Sequence, residues 1–237
     1  MSEKTQSTSR LPSRLLMAAM TLPMLAACST TMRLEPYKQT DAILQAGDGV
    51  VVLARRHHAT HEAEQDFVDC ISDELERDDI MVHDSTDFED MLYPWFEPST
   101  APLNITDMSE LLDRPAVANR VEDTNVRFLI WLDGSTDRVA SGGSITCAAG
   151  IGGAGCMGLA WWEDDARYDI AVWDIERLDE SGTIHADARG RSVMPALVIP
   201  FPFIARPQAK ACRGLTDQLE TFLTTPSGYG AGPEEIG

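Results

Sequence analysis

Apolar and polar residues follow two rhythms in this chain, and the first strong run obeys neither. GVVVLA, residues 49–54, is apolar on both faces, as in a strand buried within a sheet. After the loop RRHHAT, residues 61–78 take up helical spacing, with Phe67, Ile71 and Leu75 on one stripe and Val68 beside it. Thr60 suits the N-cap, and Glu62 and Glu64 suit the first turn of that helix. IMVH (80–83) reads as a short second strand, and DFEDMLYPWFEP as a short helix stopped at Pro94. Residues 108–124 read as helix broken near Pro115, where a fresh turn begins.

VRFLIWL (126–132) is a third strand, followed by a glycine-rich stretch, SGGSITCAAGIGGAGCMGLAWWE, read as a small apolar loop between strands. Its Ile145, Ile151, Met157 and tryptophans either pack on the domain or, as the many glycines favour, form a tip facing a partner or a membrane. YDIAVWDI (168–175) and TIHADARG (183–190) form a hairpin turning through Asp179, Glu180, Ser181 and Gly182. PALVIPFPFIARP is too rich in proline for a helix or a central strand. A closing helix over 208–222 presents Ala211, Leu215, Leu219 and Phe222 on one face. The order predicts an α/β (α+β) fold. It is a single domain over 48–225, with a mixed sheet of about five strands flanked by helices, a late β-hairpin and a closing C-terminal helix. Residues 28–47 lack a clear period and read as a flexible tether, and 226–237 have a disordered composition.

The N-terminus changes the picture. Arg10 and Arg14 precede an apolar run over 15–27, too short to span a bilayer and suited to an export signal. It ends in Leu25-Ala26-Ala27-Cys28, which resembles the lipobox of bacterial lipoproteins. That resemblance implies a signal peptide over 1–27 and a diacylglyceryl group on Cys28. Several acyl chains hold a membrane where one holds only marginally. Ser29, which is not the aspartate that favours inner-membrane retention, implies an outer-membrane address facing the periplasm.

Charge then narrows the partners. The net charge is −19, and loss of residues 1–27 makes the chain more acidic still. Such a surface repels phosphate backbones, which excludes a nucleic-acid role. The expected contacts are the membrane through Cys28 and an envelope protein partner.

Besides Cys28 the chain has Cys70, Cys147, Cys156 and Cys212, an even set in an oxidising compartment with three possible connectivities. Cys70 lies three residues after Phe67 and Cys212 three before Leu215, so each borders the packing stripe of its helix. A Cys70–Cys212 disulfide would contribute around 5 kcal/mol by chain entropy and leaves Cys147 to Cys156. A redox pair would use the CxxC spacing, which is absent.

Arg55, Arg56, His57, His58 and His61 form the sharpest cluster with chemical potential. They sit where the first strand ends and the first helix begins, the edge at which open α/β sheets bind ligands and anions. Zinc is poorly served, because His57 and His58 are adjacent and HEAEQ is not the HExxH pattern. His185 alternates with Asp187 and Arg189 on one strand face, the pattern of a solvated face, and His83 adjoins Asp84 at a strand end. Asp78-Asp79 and Asp164-Asp165 read as solvated turns, and Tyr93, Trp95 and Phe96 as a loop capping the core or, alternatively, a docking surface. Ser144 lacks the glycine spacing of a nucleophile elbow. The sequence therefore offers no catalytic residues, no metal site and no cofactor.

VANRVEDTNVRFLIWLDGSTD resembles the helix, turn and buried-strand segment of the curli-export and penicillin-binding-protein activator lipoproteins. The N-terminal domain of the Tol-system propeller protein has a similar plan. YPWFEP and GGAGC-x-G-x-x-WW resemble an uncharacterised bacterial lipoprotein group. These resemblances imply the fold and the address of a membrane-anchored periplasmic lipoprotein, a non-enzymatic binding or assembly module of the envelope. The alternative is an envelope enzyme or an anion- or metal-binding protein using the Arg55–His61 loop. An oligomeric pore would need long strands, for which the glycine loop is too short.

Overall fold

A computed structural model describes residues 30–55, 65–97, 100–151, 153–226 and 234–236. The leader 1–27 and Cys28 lie outside the described residues. Six main strands form one mixed sheet in the order β3-β2-β4-β5-β6-β1, which makes the fold α/β. They are β1 (Thr30–Lys38), β2 (Gly49–Ala54), β3 (Met81–His83), β4 (Val126–Gly150), β5 (Gly153–Asp174) and β6 (Asp179–Pro200). A three-residue strand, β7 (Glu234–Ile236), pairs with Met32, Arg33 and Leu34 of β1. The described helices are α1 (Gln65–Arg77), α2 (Ser85–Met91), α3 (Ile105–Leu112), α4 (Pro115–Glu122) and α5 (Pro207–Thr224).

The chain divides into two compact units. The larger comprises the described parts of 30–140, 163–190 and 206–237, and the smaller holds 141–162 with 191–205. Within the larger unit β2 is fully buried and pairs in parallel with both β3 and β4, as its two apolar faces require. One sheet face carries Val50, Val52, Phe128, Ile130, Tyr168, Ile170, Ile184 and Leu34 beneath α1 and α5. The opposite face carries Val51, Leu53, Leu129, Trp131 and Trp173 beneath α2, α3 and α4. Cys70 of α1 is bonded to Cys212 of α5. Pro115 occupies the first turn of α4, as expected. Asn104 caps α3 by accepting from the Asp107 N–H at 3.0 Å.

Several expectations are corrected. The tether contains β1, nine residues that pair antiparallel with β6 from Thr30↔Gly190 to Lys38↔Gly182. Met32 and Leu34 are buried, so this segment joins the core. The tail likewise places Glu234–Ile236 on β1. The late hairpin turns at 175–178, not 179–182. There the Asp174 carboxylate accepts from the N–H groups of Glu176 and Arg177, and Leu178 takes φ 55°. That side chain satisfies the turn, so Asp179 already begins β6.

The largest correction concerns the glycine-rich stretch. It is the far half of β4 and the near half of β5, so these strands run to 25 and 22 residues and β6 to 22. Strands this long remove the objection from length raised against membrane-inserting strands. In the smaller unit Cys147 is bonded to Cys156 beside the tight β4–β5 turn. Gly143 and Gly158 hold φ of 89° and 146°, and a Cβ on either would fall 2.1 Å from a carbonyl oxygen of the facing strand. After Pro200 the chain folds back on β6, with Phe203 and Val193 exchanging N–H···O bonds of 2.8 and 2.9 Å. The Ser192 hydroxyl accepts from the Ala205 N–H at 3.0 Å.

Candidate functional site

Arg55 follows β2 and extends its pairing by one step, donating its N–H to the Leu132 carbonyl at 2.8 Å. Strand alternation puts it on the face of Val51 and Leu53. On that face its guanidinium lies over the Trp173 ring, 5.7 Å from the centroid. Trp131 meets the same ring edge-on at 5.5 Å. Arg55 Nε and Trp131 Nε1 are both buried, and neither has an acceptor among the described residues. The carboxyl end of β2, beside residues 131–132 of β4, thus holds two buried N–H donors around one aromatic ring. Arg56, His57, His58 and His61, the other residues expected at this edge, lie outside the described residues. Among the described residues no three His, Cys, Asp or Glu side chains are grouped to hold a metal.

A second constellation occupies the half of this sheet face that α2, α3 and α4 leave uncovered. β5 contributes Asp165, Arg167 and Asp169, and β6 contributes His185, Asp187 and Arg189. His185 Nδ1 lies 2.5 Å from Asp169 Oδ1 and its Nε2 lies 3.0 Å from Asp187 Oδ2. Arg189 donates to Asp165 at 2.9 Å, Arg167 pairs with Asp165 as well, and Arg167 Nε lies 3.4 Å from Asp187. With His185 protonated, three cations balance three carboxylates.

The hydrogen bond to Asp169 is the main cause raising the His185 pKa, and it outweighs the lowering by partial burial. Both ring nitrogens are engaged by carboxylates, so no free nitrogen remains for a general base. Asp165 is almost fully buried in this ladder rather than part of a solvated turn. His83 packs against Gly49, and burial lowers its pKa. Its neighbour Asp84 is occupied capping α2, where it accepts from the Asp87 N–H at 2.9 Å, so the pair forms no dyad. Phe96 packs against Phe88 and Trp131 as a core cap, while Tyr93 is exposed.

Residues not singled out in the sequence form a third site at the amino end of β4. Arg127, 8% exposed, reaches Asp48 at 2.9 Å, Asp174 at 3.3 Å and Glu176 at 3.4 Å. Burial by itself would lower its pKa, but the Asp48 hydrogen bond and the Asp174 charge raise it. A cleft of about 560 Å³ opens here, lined by Asp48, Val121, Glu122, Asn125 and Glu176 among others. Three carboxylates already neutralise Arg127, so the cleft is not built for an anion.

The smaller unit differs in chemistry from all of these. From Ser141 to Trp162 and from Val193 to Ile204 there is no charged residue. Ile151, Met157, Leu159, Leu197, Val198, Ile199, Phe201, Phe203 and Ile204 are all exposed there. The Arg191 guanidinium stands 4.5 Å over the Trp161 ring.

No protein-family model matches the chain, and no curated protein matches it. Among solved structures it is similar to the PelC dodecamer from Paraburkholderia phytofirmans. That match has 12% identity, covers 81% of this chain and 98% of that one, and has a TM-score of 0.38. The L103M variant of the same dodecamer matches at 11% identity with the same coverage and TM-score.

Proposed function

We propose that this chain is a lipoprotein held at the outer membrane through Cys28, facing the periplasm, and that it serves the cell envelope as a non-enzymatic binding or assembly module. The observation that carries the reading is the partition of the cysteines. Cys70 bonds Cys212 and Cys147 bonds Cys156, so the four described cysteines pair among themselves and the lipobox residue, Cys28, belongs to neither bridge. Disulfides belong to oxidising compartments, and an exported thiol reserved for acylation is the expected exception. The binding role is supported by the two surfaces described above, a self-neutralised ionic ladder and an exposed apolar unit, neither of which carries a nucleophile with a base.

Fractionation of cells expressing wild type and Cys28→Ala tests the address. The wild type is expected in the outer-membrane fraction with a mass added at a mature N-terminal Cys28. The Cys28→Ala protein is expected to lose that mass and to show a reduced membrane-bound fraction. An unmodified Cys28 in the wild type would refute the reading.

A further inference from the structure

The smaller unit is the least expected part of a chain with 24% charged residues. Its two segments, 141–162 and 191–205, carry only one charged side chain, Arg191. Its apolar side chains are not assembled into a core. Ile151 is fully exposed, Met157 and Val198 are about two-thirds to three-quarters exposed, and Phe201 is 60% exposed. A soluble surface rarely leaves so many large apolar side chains of two neighbouring segments uncovered without a partner. The β4 segment SGGSITCAAG also lacks the lysines, prolines and inward charges that protect an exposed strand edge.

We propose that this unit beds into the headgroup–acyl boundary of a lipid bilayer as a second membrane attachment. Three observations select lipid over a protein partner. The exclusion of charge runs over both segments and on both strand faces, whereas a protein interface keeps a polar rim. It ends on β5 at Trp161 and Trp162, immediately before Glu163, Asp164 and Asp165, and Arg191 lies over Trp161. Paired tryptophans with a stacked arginine mark the level where apolar chains meet headgroups. The third support rests on the lipoprotein reading above. Cys28 lies two residues before Thr30, Thr30 pairs with Gly190, and Arg191 follows to open the unit. Acyl chains on Cys28 would therefore enter the membrane beside the root of the unit.

The backbone sets the depth. Among the described residues the β4 edge over 141–150 has no strand beyond it, since β2 pairs with β4 only as far as Leu132. Open N–H and C=O groups cannot be left in hydrocarbon, where each costs several kcal/mol. In the boundary layer water still reaches them, and apolar side chains sink roughly 5–10 Å. A single copy therefore lies shallow.

The test uses the mature protein in phosphatidylcholine vesicles whose acyl chains carry bromine at shallow or at deep positions. Trp131 and Trp173 are buried in the larger unit, and Trp95 is partly buried there against the core with Arg120 over its ring. Bromine quenching of tryptophan fluorescence is therefore expected to come chiefly from Trp161 and Trp162. It should be stronger for shallow bromine and fall by more than half in Trp161→Phe/Trp162→Phe. Ile151→Asp/Phe201→Asp retains those tryptophans and should shift the unit out of the lipid on the order of tenfold, read as lost quenching. Absence of quenching, stronger quenching by deep bromine, or a stable dimer in solution that shields Met157 and Phe201 would each overturn the proposal. The readout is independent of Cys28 acylation, because an unacylated chain added to the same vesicles would still report quenching.

Discussion

The two disulfides close loops of very different length, and their removal should separate cleanly in an unfolding experiment. Cys70 and Cys212 are 142 residues apart, whereas Cys147 and Cys156 are 9 apart. The chain-entropy relation gives about 5 kcal/mol for the long loop and about 2.5 kcal/mol for the short one. The long bridge also ties α1 to α5 across one core, with Cys212 fully buried among Leu215, Ile71 and Leu75. Replacing Cys70 and Cys212 by Ala should therefore lower unfolding free energy by about 4–5 kcal/mol. At this size that corresponds to a Tm fall on the order of 10–15 °C. The denaturant m-value should rise as well, because the unfolded chain loses a constraint and exposes more surface. Replacing Cys147 and Cys156 should cost about half as much and act on the smaller unit, seen as hydrogen exchange confined to 141–162 and 191–205. The assay is guanidinium unfolding under oxidising conditions, followed by far-UV circular dichroism and by hydrogen exchange. Equal losses for the two pairs, or a loss below about 1 kcal/mol for the long one, would refute the loop-entropy reasoning.

Arg127→Met should destabilise the larger unit by about 2–3 kcal/mol in thermal unfolding, because the fully buried Asp174 carboxylate loses this partner and keeps only Arg177 and the N–H groups of the turn. Adding Asp174→Asn should restore a substantial part of that loss. The raised pKa of His185 means that the folded state binds its proton more tightly. The stability it adds is fully present below the ordinary imidazole value of about 6.5 and is lost as pH rises through the folded value. Asp169→Asn should flatten that dependence in Tm measured from pH 5 to about 8. The ring is 40% exposed, so the effect stays below about 1 kcal/mol.

The central elements were legible because their sequences carry the whole signal. GVVVLA and VRFLIWL are apolar on both faces and allow no position but the middle of a sheet. The continuation of β4 through glycine, serine and alanine has low strand propensity and no alternation. Pairing with β5, not local preference, makes it a strand. In TMRLEPYK a period of two was present in Met32 and Leu34, but it is short and Pro36 interrupts it. The end of the first apolar run located Arg55 just after β2, whereas Trp131 and Trp173 read only as core residues. The ladder had a signal that went unused. Asp-x-Arg-x-Asp on β5 complements His-x-Asp-x-Arg on β6, and only the register reveals that each residue meets its opposite charge.

The beginning of β1 at Thr30 bears on how far the proposed anchor lets the domain travel. A flexible leader over 28–47 would have a root-mean-square reach of about 25 Å. The stretch from Cys28 to Thr30 spans no more than about 7 Å. The volume swept by the larger unit shrinks roughly forty-fold. On that proposed anchor, a molecule tethered this closely would not search the periplasm. A ligand would have to arrive at the bilayer, and the local concentration it met there would be set by membrane area instead of compartment volume.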